Sequence, residues 1–265
     1  MKRALSIWSA FLLASLVSVV ASAQDAFTRQ SFLPPEHGVD LTGMPARPMM
    51  VGLDVSTNTN NVPFHFPLHV YFGVTDRLAL GPIHEIGPFY PFGGFCPNCD
   101  HVYDDIGLGI LYKIIERQDF ELDFNGDAPL FIGFADHVRM SVRGGVLGRV
   151  NFGRVVALVF DPSLQIGLVG RPQDQGNNKD YLWLPAWFYF QVTDKVAPFV
   201  GTGLGGQLEG FADTLDIPLE GGCIVSVTRN VDLGGVFQFH NLMGRGGNAD
   251  GRQIGFLGRF RFGGR

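Results

Sequence analysis

The chain has 265 residues, a formal net charge of −5, 36 Gly, 24 Phe, 46% hydrophobic residues and only 17% charged residues. So much glycine disfavours helices, because Gly costs about 1 kcal/mol relative to Ala in a helix interior. The mild negative charge, without a basic block that would neutralise phosphates, argues against nucleic acid as a partner.

The first 23 residues are predicted to be a cleaved signal peptide. Lys2 and Arg3 supply the positive start, residues 4–20 form an apolar core, and Ala21-Ser22-Ala23 is a cleavage pattern before Gln24. A membrane helix is the alternative, but the apolar run is just short of the roughly 20 residues that span a bilayer. We therefore expect export from the cytoplasm.

Residues 24–46 are predicted to be an extended leader outside the main domain. They contain Pro34, Pro35, Gly38, Gly43 and Pro45 and keep no lasting period. From residue 47 to residue 265 the pattern changes, and we interpret this range as one β domain.

Segments after residue 47 alternate apolar with polar or small residues, as strands with two different faces do. The clearest cases are residues 105–115, 120–125, 137–150 and 253–262. A soluble periplasmic β-sandwich would bury the apolar face in a core, and it remains the architectural alternative. A membrane barrel instead turns the apolar face to lipid and the polar face to its lumen.

Short turns and longer connections alternate along the domain. Five short turns are expected. Three are related in sequence, Val74-Thr75-Asp76, Val192-Thr193-Asp194 and Val227-Thr228-Arg229, and the other two are at 116–119 and 151–153. Longer connections are expected near residues 57–64, 88–103, 127–136, 170–180, 209–214 and 241–250. This asymmetry predicts about twelve strands, give or take one hairpin, with both termini in the periplasm.

With those three Val-Thr turns and the closing strand at 254–262, residues 47–265 resemble the broad class of Gram-negative outer-membrane β-barrel proteins, which includes porin-like and small transport barrels. The resemblance implies an all-β, antiparallel, up-and-down transmembrane barrel in the cell outer membrane. It also implies membrane lipid, periplasmic chaperones and the barrel assembly machinery as partners. In contrast to many members that end on an aromatic residue, Phe262 is followed by Gly263-Gly264-Arg265.

Charged residues on the polar face are expected to line the lumen and to pair across neighbouring strands. They are an electrostatic constriction that selects solutes by charge, or ion pairs that fill a narrow barrel and hold it shut. Asp216, Glu220 and Asp232 would add to the acidic side. The predicted ladder consists of Asp105, Lys113, Glu121, Asp123, Arg139, Arg143, Arg149, Arg259 and Arg261.

Two further features carry local chemistry. Cys96 and Cys99 are predicted to form a loop disulfide, with reduced thiols, a small metal site or a redox pair as alternatives. No second pair exists, so neither a metal nor a cofactor is expected. Aromatic residues occupy both faces of the 181–190 segment, where Tyr181, Trp183, Trp187 and Tyr189 alternate with Leu182, Leu184, Phe188 and Phe190. Some are expected to be membrane-interface or packing residues, and others, if inward, to stack on a sugar or aromatic solute.

These patterns predict a non-enzymatic barrel that acts as a narrow pore or transporter for a small polar solute. The alternative is a closed structural or adhesion barrel whose extracellular loops bind partners. An outer-membrane hydrolase would need a histidine beside a nucleophile, and no such motif accompanies His69, His137 or His240.

Overall fold

The structure is a computed structural model that describes residues 30–34, 36–42, 49–54, 64–90, 94–95, 103–117, 119–132, 138–171, 178–244 and 252–263. These residues form fifteen strands of one sheet and a single turn of 3-10 helix, Phe211–Asp213. Among them, no helix is long and apolar enough to cross a membrane. The strands are β1 (Val39–Thr42), β2 (Met49–Asp54), β3 (Phe64–Gly73), β4 (Leu78–Tyr90), β5 (Gly94–Phe95), β6 (Tyr103–Glu116), β7 (Phe120–Ile132), β8 (Val138–Phe152), β9 (Val156–Phe160), β10 (Ser163–Val169), β11 (Tyr181–Phe190), β12 (Val196–Gln207), β13 (Asp216–Thr228), β14 (Val231–Gly244) and β15 (Arg252–Phe262).

The sheet closes into a barrel with twelve strand positions. β1 and β2 share one position between β3 and β15, and β9 and β10 share another between β8 and β11. β5 is a two-residue addition that pairs with the end of β4. All pairings are antiparallel, so the predicted all-β barrel of about twelve strands is confirmed.

The two faces of the wall follow the alternation that the sequence predicted. On β7, Glu121, Asp123 and Asn125 are buried inside the barrel, whereas Phe124 between them is exposed outside. Apolar side chains are exposed on the outer face all round the barrel, which a soluble sandwich would not tolerate. Examples are Leu80, Leu108, Tyr112, Val142, Val146, Phe188, Val200, Leu219, Leu233, Phe237, Ile254 and Phe256.

Five short turns lie at one end of the barrel, which we call the turn end. In three of them a threonine hydroxyl accepts hydrogen bonds from backbone N–H groups two or three residues on: Thr75 from Leu78 at 3.0 Å, Thr193 from Val196 at 3.1 Å and Thr228 from Asn230 at 3.1 Å. Threonine favours turns by this local bonding, so the repeat and the tight hairpins have one cause.

The opposite end, the loop end, carries the longer connections. Three of them begin or end later than expected, because strand pairing continues through Pro88–Tyr90, residues 127–132 and residues 241–244. Proline, glycine and asparagine in those stretches were read as loop signals, but pairing of long neighbouring strands overrides such local preferences.

The leader is not separate from the barrel, contrary to the prediction for residues 24–46. Val39–Thr42 pairs with β15 through Val39 and Phe262, and with β3 through Val39 and Phe72. A four-residue alternation is too short to stand out between prolines and glycines, yet two paired neighbours make it a strand. The predicted signal peptide lies outside the described residues.

Gly81 of β4 is a position where the wall has no room for a side chain. A Cβ atom there would lie 1.6 Å from the backbone oxygen of Val70, whereas one at Gly144 would be 3.9 Å from its nearest neighbour. We expect Gly81→Ala to lower the free energy of unfolding by about 1 to 3 kcal/mol, because overpacking against backbone forces the strands apart. Urea unfolding in lipid vesicles measures this, with Gly144→Ala as the matched control. Equal effects of the two variants would contradict the prediction.

Candidate functional site

Residues 30–34, here called the lumenal segment, lie inside the barrel near its turn end. Phe32 is 4% exposed and Leu33 is 5% exposed. Phe32 belongs to a buried apolar cluster with inward side chains of β8, β9 and β11 to β15, and Leu33 belongs to a second cluster with Tyr71, Ala79 and Leu111 of β3, β4 and β6. Since the two clusters cover different arcs of the wall, the segment lies across the lumen.

Hydrogen bonds from charged wall residues hold the lumenal segment. The Ser31 hydroxyl and the Phe32 backbone N–H both donate to Oε1 of Glu121, at 2.7 and 3.1 Å. Arg149 donates to the backbone oxygen of Gln30, and its guanidinium carbon lies 5.2 Å from the centre of the Phe32 ring. Arg259 donates to the backbone oxygen of Phe32 at 3.0 Å. Side chains of the barrel wall therefore hold the segment in the lumen largely through hydrogen bonds to its main chain.

The same wall residues form buried ion pairs. Arg149 donates to Glu121 at 2.5 Å and thereby joins β7 to β8. Arg259 donates to both oxygens of Asp40, with Nε 2.8 Å from Oδ2, and joins β1 to β15. All four side chains are at most 6% exposed. Such desolvated, hydrogen-bonded pairs are costly to break one partner at a time.

Of two further ladder residues, Arg261 pairs with an acidic residue of the neighbouring strand, as the ladder predicts, and Lys113 does not. Arg261 donates to Asp232 at 2.8 Å, and Asp232 also accepts from Ser226 at 2.6 Å. Lys113 lies opposite Asp123 in register, yet its ammonium group contacts Glu116 at 2.7 Å. Side-chain reach along one strand thus decides this pairing rather than the cross-strand register.

The remaining predicted site residues are placed as follows. Asp123 is buried on the inner face of β7 and accepts no hydrogen bond from the residues that the structure describes. Arg143 of β8 is half-buried on the inner face, opposite Gln165 of β10. Asp105 and Arg139 belong to β6 and β8, but their side chains lie outside the description. Cys96 and Cys99 lie outside the described residues.

Tyr181, Trp183, Trp187 and Tyr189 of β11 point into the barrel, which excludes an interface-girdle role for these four residues. Trp187 and Tyr189 are buried at 3% and 1% exposure, and the Trp187 indole N–H donates to Glu220. Tyr181 and Trp183, nearer the loop end, are half-buried. The lumen is therefore filled toward the turn end, whereas Tyr181 and Trp183 are partly exposed toward the loop end.

At the loop end, residues 178–180 fold over β8 and β10. Asn178 donates to the backbone oxygens of Met140 and Val169, both at 2.8 Å, and accepts from Ser141 at 2.9 Å. The hydrogen bond from Arg171 to Asp180, at 2.6 Å, holds the pKa of that carboxyl below its ordinary value. This connection is thus fixed to the rim of the wall.

Neither the lumenal segment nor the role of Asp40 is predicted by the sequence pattern. The alternation of Val39 and Leu41 with the buried Asp40 and Thr42 was the available signal for β1. No comparable signal existed for Ser31 and Phe32, whose contacts with Glu121 span 90 and 89 residues of sequence.

Comparisons with solved structures concern the fold. No protein-family model matches the sequence, and no curated protein is similar to it. Structural similarity is found to the NanC porin (TM-score 0.56, 8% identity, covering 81% of this chain and 99% of that one) and to the KdgM porin (0.52, 8%, 86% and 99%). An outer membrane channel from Pseudomonas putida F1 is also similar (0.53, 12%, 91% and 100%). The chain therefore has the fold of outer-membrane β-barrel channels, with an apolar outer face suited to lipid.

Proposed function

We propose that the protein is a narrow outer-membrane channel for small solutes, closed at rest on its turn end by its own lumenal segment. The observation that carries this proposal is the position of Phe32 and Leu33 between two arcs of the barrel wall. The same proposal includes export, chaperoning and insertion by the barrel assembly machinery. It assigns no catalytic activity to the barrel.

The way in which the segment is held supports a removable closure. Residues 30–34 belong to no strand, so they can leave the lumen without breaking a pairing of the wall. Hydrogen bonds to Glu121, Arg149 and Arg259 and two apolar side chains help to retain them. Each hydrogen bond to a charged group contributes roughly 1.5 to 3 kcal/mol at most, and exposed wall charges regain part of that from water.

A closed structural or adhesion barrel is the second candidate. The buried pairs Arg149–Glu121 and Arg259–Asp40 favour it, because ion pairs can fill a narrow barrel permanently. In that case the loop end, including the part fixed by Asn178, would carry the activity.

Conductance in planar bilayers separates the two candidates. We expect the refolded wild type to open rarely and Phe32→Ala/Leu33→Ala to open frequently. Truncating a buried Phe costs about 3 to 5 kcal/mol. Since 1.4 kcal/mol is a factor of ten, the ratio of closed to open channels should fall about a hundredfold or more.

Val192→Ala, an exposed position near the turn end, is the control and should behave as wild type. Correctly folded, inserted protein that stays silent in wild type and double variant alike would reject the channel and favour the closed barrel.

A further inference from the structure

The accessible half of the lumen carries an aromatic surface made by Tyr181 and Trp183. Both lie on the inner face of β11 and are half-buried. In the register of the wall, Tyr181 lies between Gln165 of β10 and Gln207 of β12, and Trp183 lies between Ser163 and Gly205. We call Tyr181 and Trp183 the aromatic platform, and their register neighbours on β10 and β12 its flanks.

Glycine on the next strand makes the platform possible. A Cβ atom at Gly205 would lie 2.4 Å from Cε3 of Trp183 and 2.5 Å from Oη of Tyr181. Both rings therefore lean over Gly205 against the wall of β12, in space that any other residue would occupy. The Trp183 side chain thus packs against β12 at Gly205 and remains partly exposed.

The flanks of the platform are neutral and polar. Gln165 and Gln207 are half-buried amides, which both donate and accept hydrogen bonds. Gln165 donates to the Ser141 hydroxyl at 3.3 Å, which leaves its carbonyl oxygen available for another contact. A ring-shaped solute over Tyr181 would thus meet an amide on each side, and where it reaches Trp183 it would meet Ser163 and Gly205.

Charged residues of opposite sign lie on the two sides of β11. Arg143 is one strand beyond Gln165, and Asp216 is one strand beyond Gly205, where it accepts from Asn241 at 2.5 Å. A solute with a net charge would be attracted from one side and repelled from the other. The surroundings therefore favour a neutral solute.

We propose that the aromatic platform binds a neutral pyranose sugar. A pyranose has an apolar ring face that matches an indole and hydroxyl groups at its edge that match amides, a combination typical of ligand sites with few placed polar groups. A purely aromatic solute would cover the rings but leave buried amides without partners, which costs binding free energy. The inference rests on the proposed function only in that a solute must reach the lumen from the loop end.

Tryptophan emission gives a direct test. A chain that starts at Gln24 has two tryptophans, Trp183 and the buried Trp187, so Trp187→Phe leaves Trp183 as the reporter. With that variant refolded in detergent, methyl glucopyranoside should change the emission in a saturable way. Sorbitol, which has similar hydroxyl groups and no ring face, should not.

A second readout keeps the test independent of the reporter. Saturation-transfer NMR on the wild-type chain, without the Trp187→Phe substitution, should show contact with the sugar ring protons. Trp183→Ala should weaken sugar binding at least about tenfold, and Trp183→Phe should retain part of the affinity. Equal responses to sorbitol and glucoside, or stronger binding of phenol or glucuronate, would overturn the proposal. Binding without conductance would reject the channel alone, and conductance without sugar binding would reject the platform alone.

Discussion

Glu121→Gln is expected to lower the free energy of unfolding by about 3 to 5 kcal/mol, because it leaves the buried Arg149 charge without a carboxylate. Glu121 is 0% exposed, and one of its oxygens also accepts from Ser31 and Phe32. The same substitution should therefore raise the frequency of channel openings. Reversible urea unfolding in lipid vesicles, followed by tryptophan emission, gives the first quantity, and bilayer recordings give the second.

A double-mutant cycle isolates the pair. Arg149→Met alone should be about as destabilising as Glu121→Gln, whereas the double variant should lose clearly less than the sum of the two. Glu209→Gln, which breaks an exposed pair with Lys179, is the matched control and should cost no more than about 1 kcal/mol. Similar losses for Glu121→Gln and Glu209→Gln would show that the buried pair has no special weight.

Asp40→Asn is expected to lower the free energy of unfolding by about 3 to 5 kcal/mol, because it leaves the buried Arg259 charge without a carboxylate. Asp40 is 1% exposed and binds Arg259, so the pair ties the first strand to the last. Loss of the carboxylate should also reduce the yield of refolded barrel, since pairing between β1 and β15 spans more than 200 residues and must form late or slowly. Heat-dependent mobility in gels measures the folded fraction.

Asp180→Asn is the control for the contact between β1 and β15. Asp180 also binds an arginine, Arg171, but both side chains are well exposed, at 30% and 45%. Its loss should change stability far less than the loss of Asp40, because solvent screens an exposed pair. The proposed role of the Asp40–Arg259 pair is wrong if Asp40→Asn and Asp180→Asn give the same refolding yield and unfold at the same urea concentration.

Much of the wall could be predicted because its information is local. The alternation of Glu121 and Asp123 with Leu122 and Phe124 requires only neighbouring residues, and a period of two has one inner and one outer face. The threonine turns are equally local, since each hydroxyl bonds a backbone group within three residues. Inward placement of the aromatic face of β11 was left open, because both faces of that segment are apolar.

The closure of the lumen could not be predicted, because its contacts are distant in sequence. Arg259 binds Asp40 across 219 residues and the Phe32 carbonyl across 227. No periodicity within residues 30–34 announces such partners. Residues 30–34 belong to no helix or strand, so their backbone groups are free to bond Glu121, Arg149 and Arg259.

The attachment of the lumenal segment to the wall sets how it competes with other molecules. Backbone hydrogen bonds of 2.9 Å, from His37 to Gly73 and from Gly73 to Gly38, pin the chain directly after the segment. Only residues 35 and 36 separate the segment from that anchor, so a displaced segment stays within a few ångströms per residue of its site. Its effective concentration is then on the order of millimolar or higher, and reclosure is intramolecular. A synthetic peptide of the same sequence should therefore block a segment-deleted barrel only at comparably high concentration, and closure should not depend on how much protein the membrane contains.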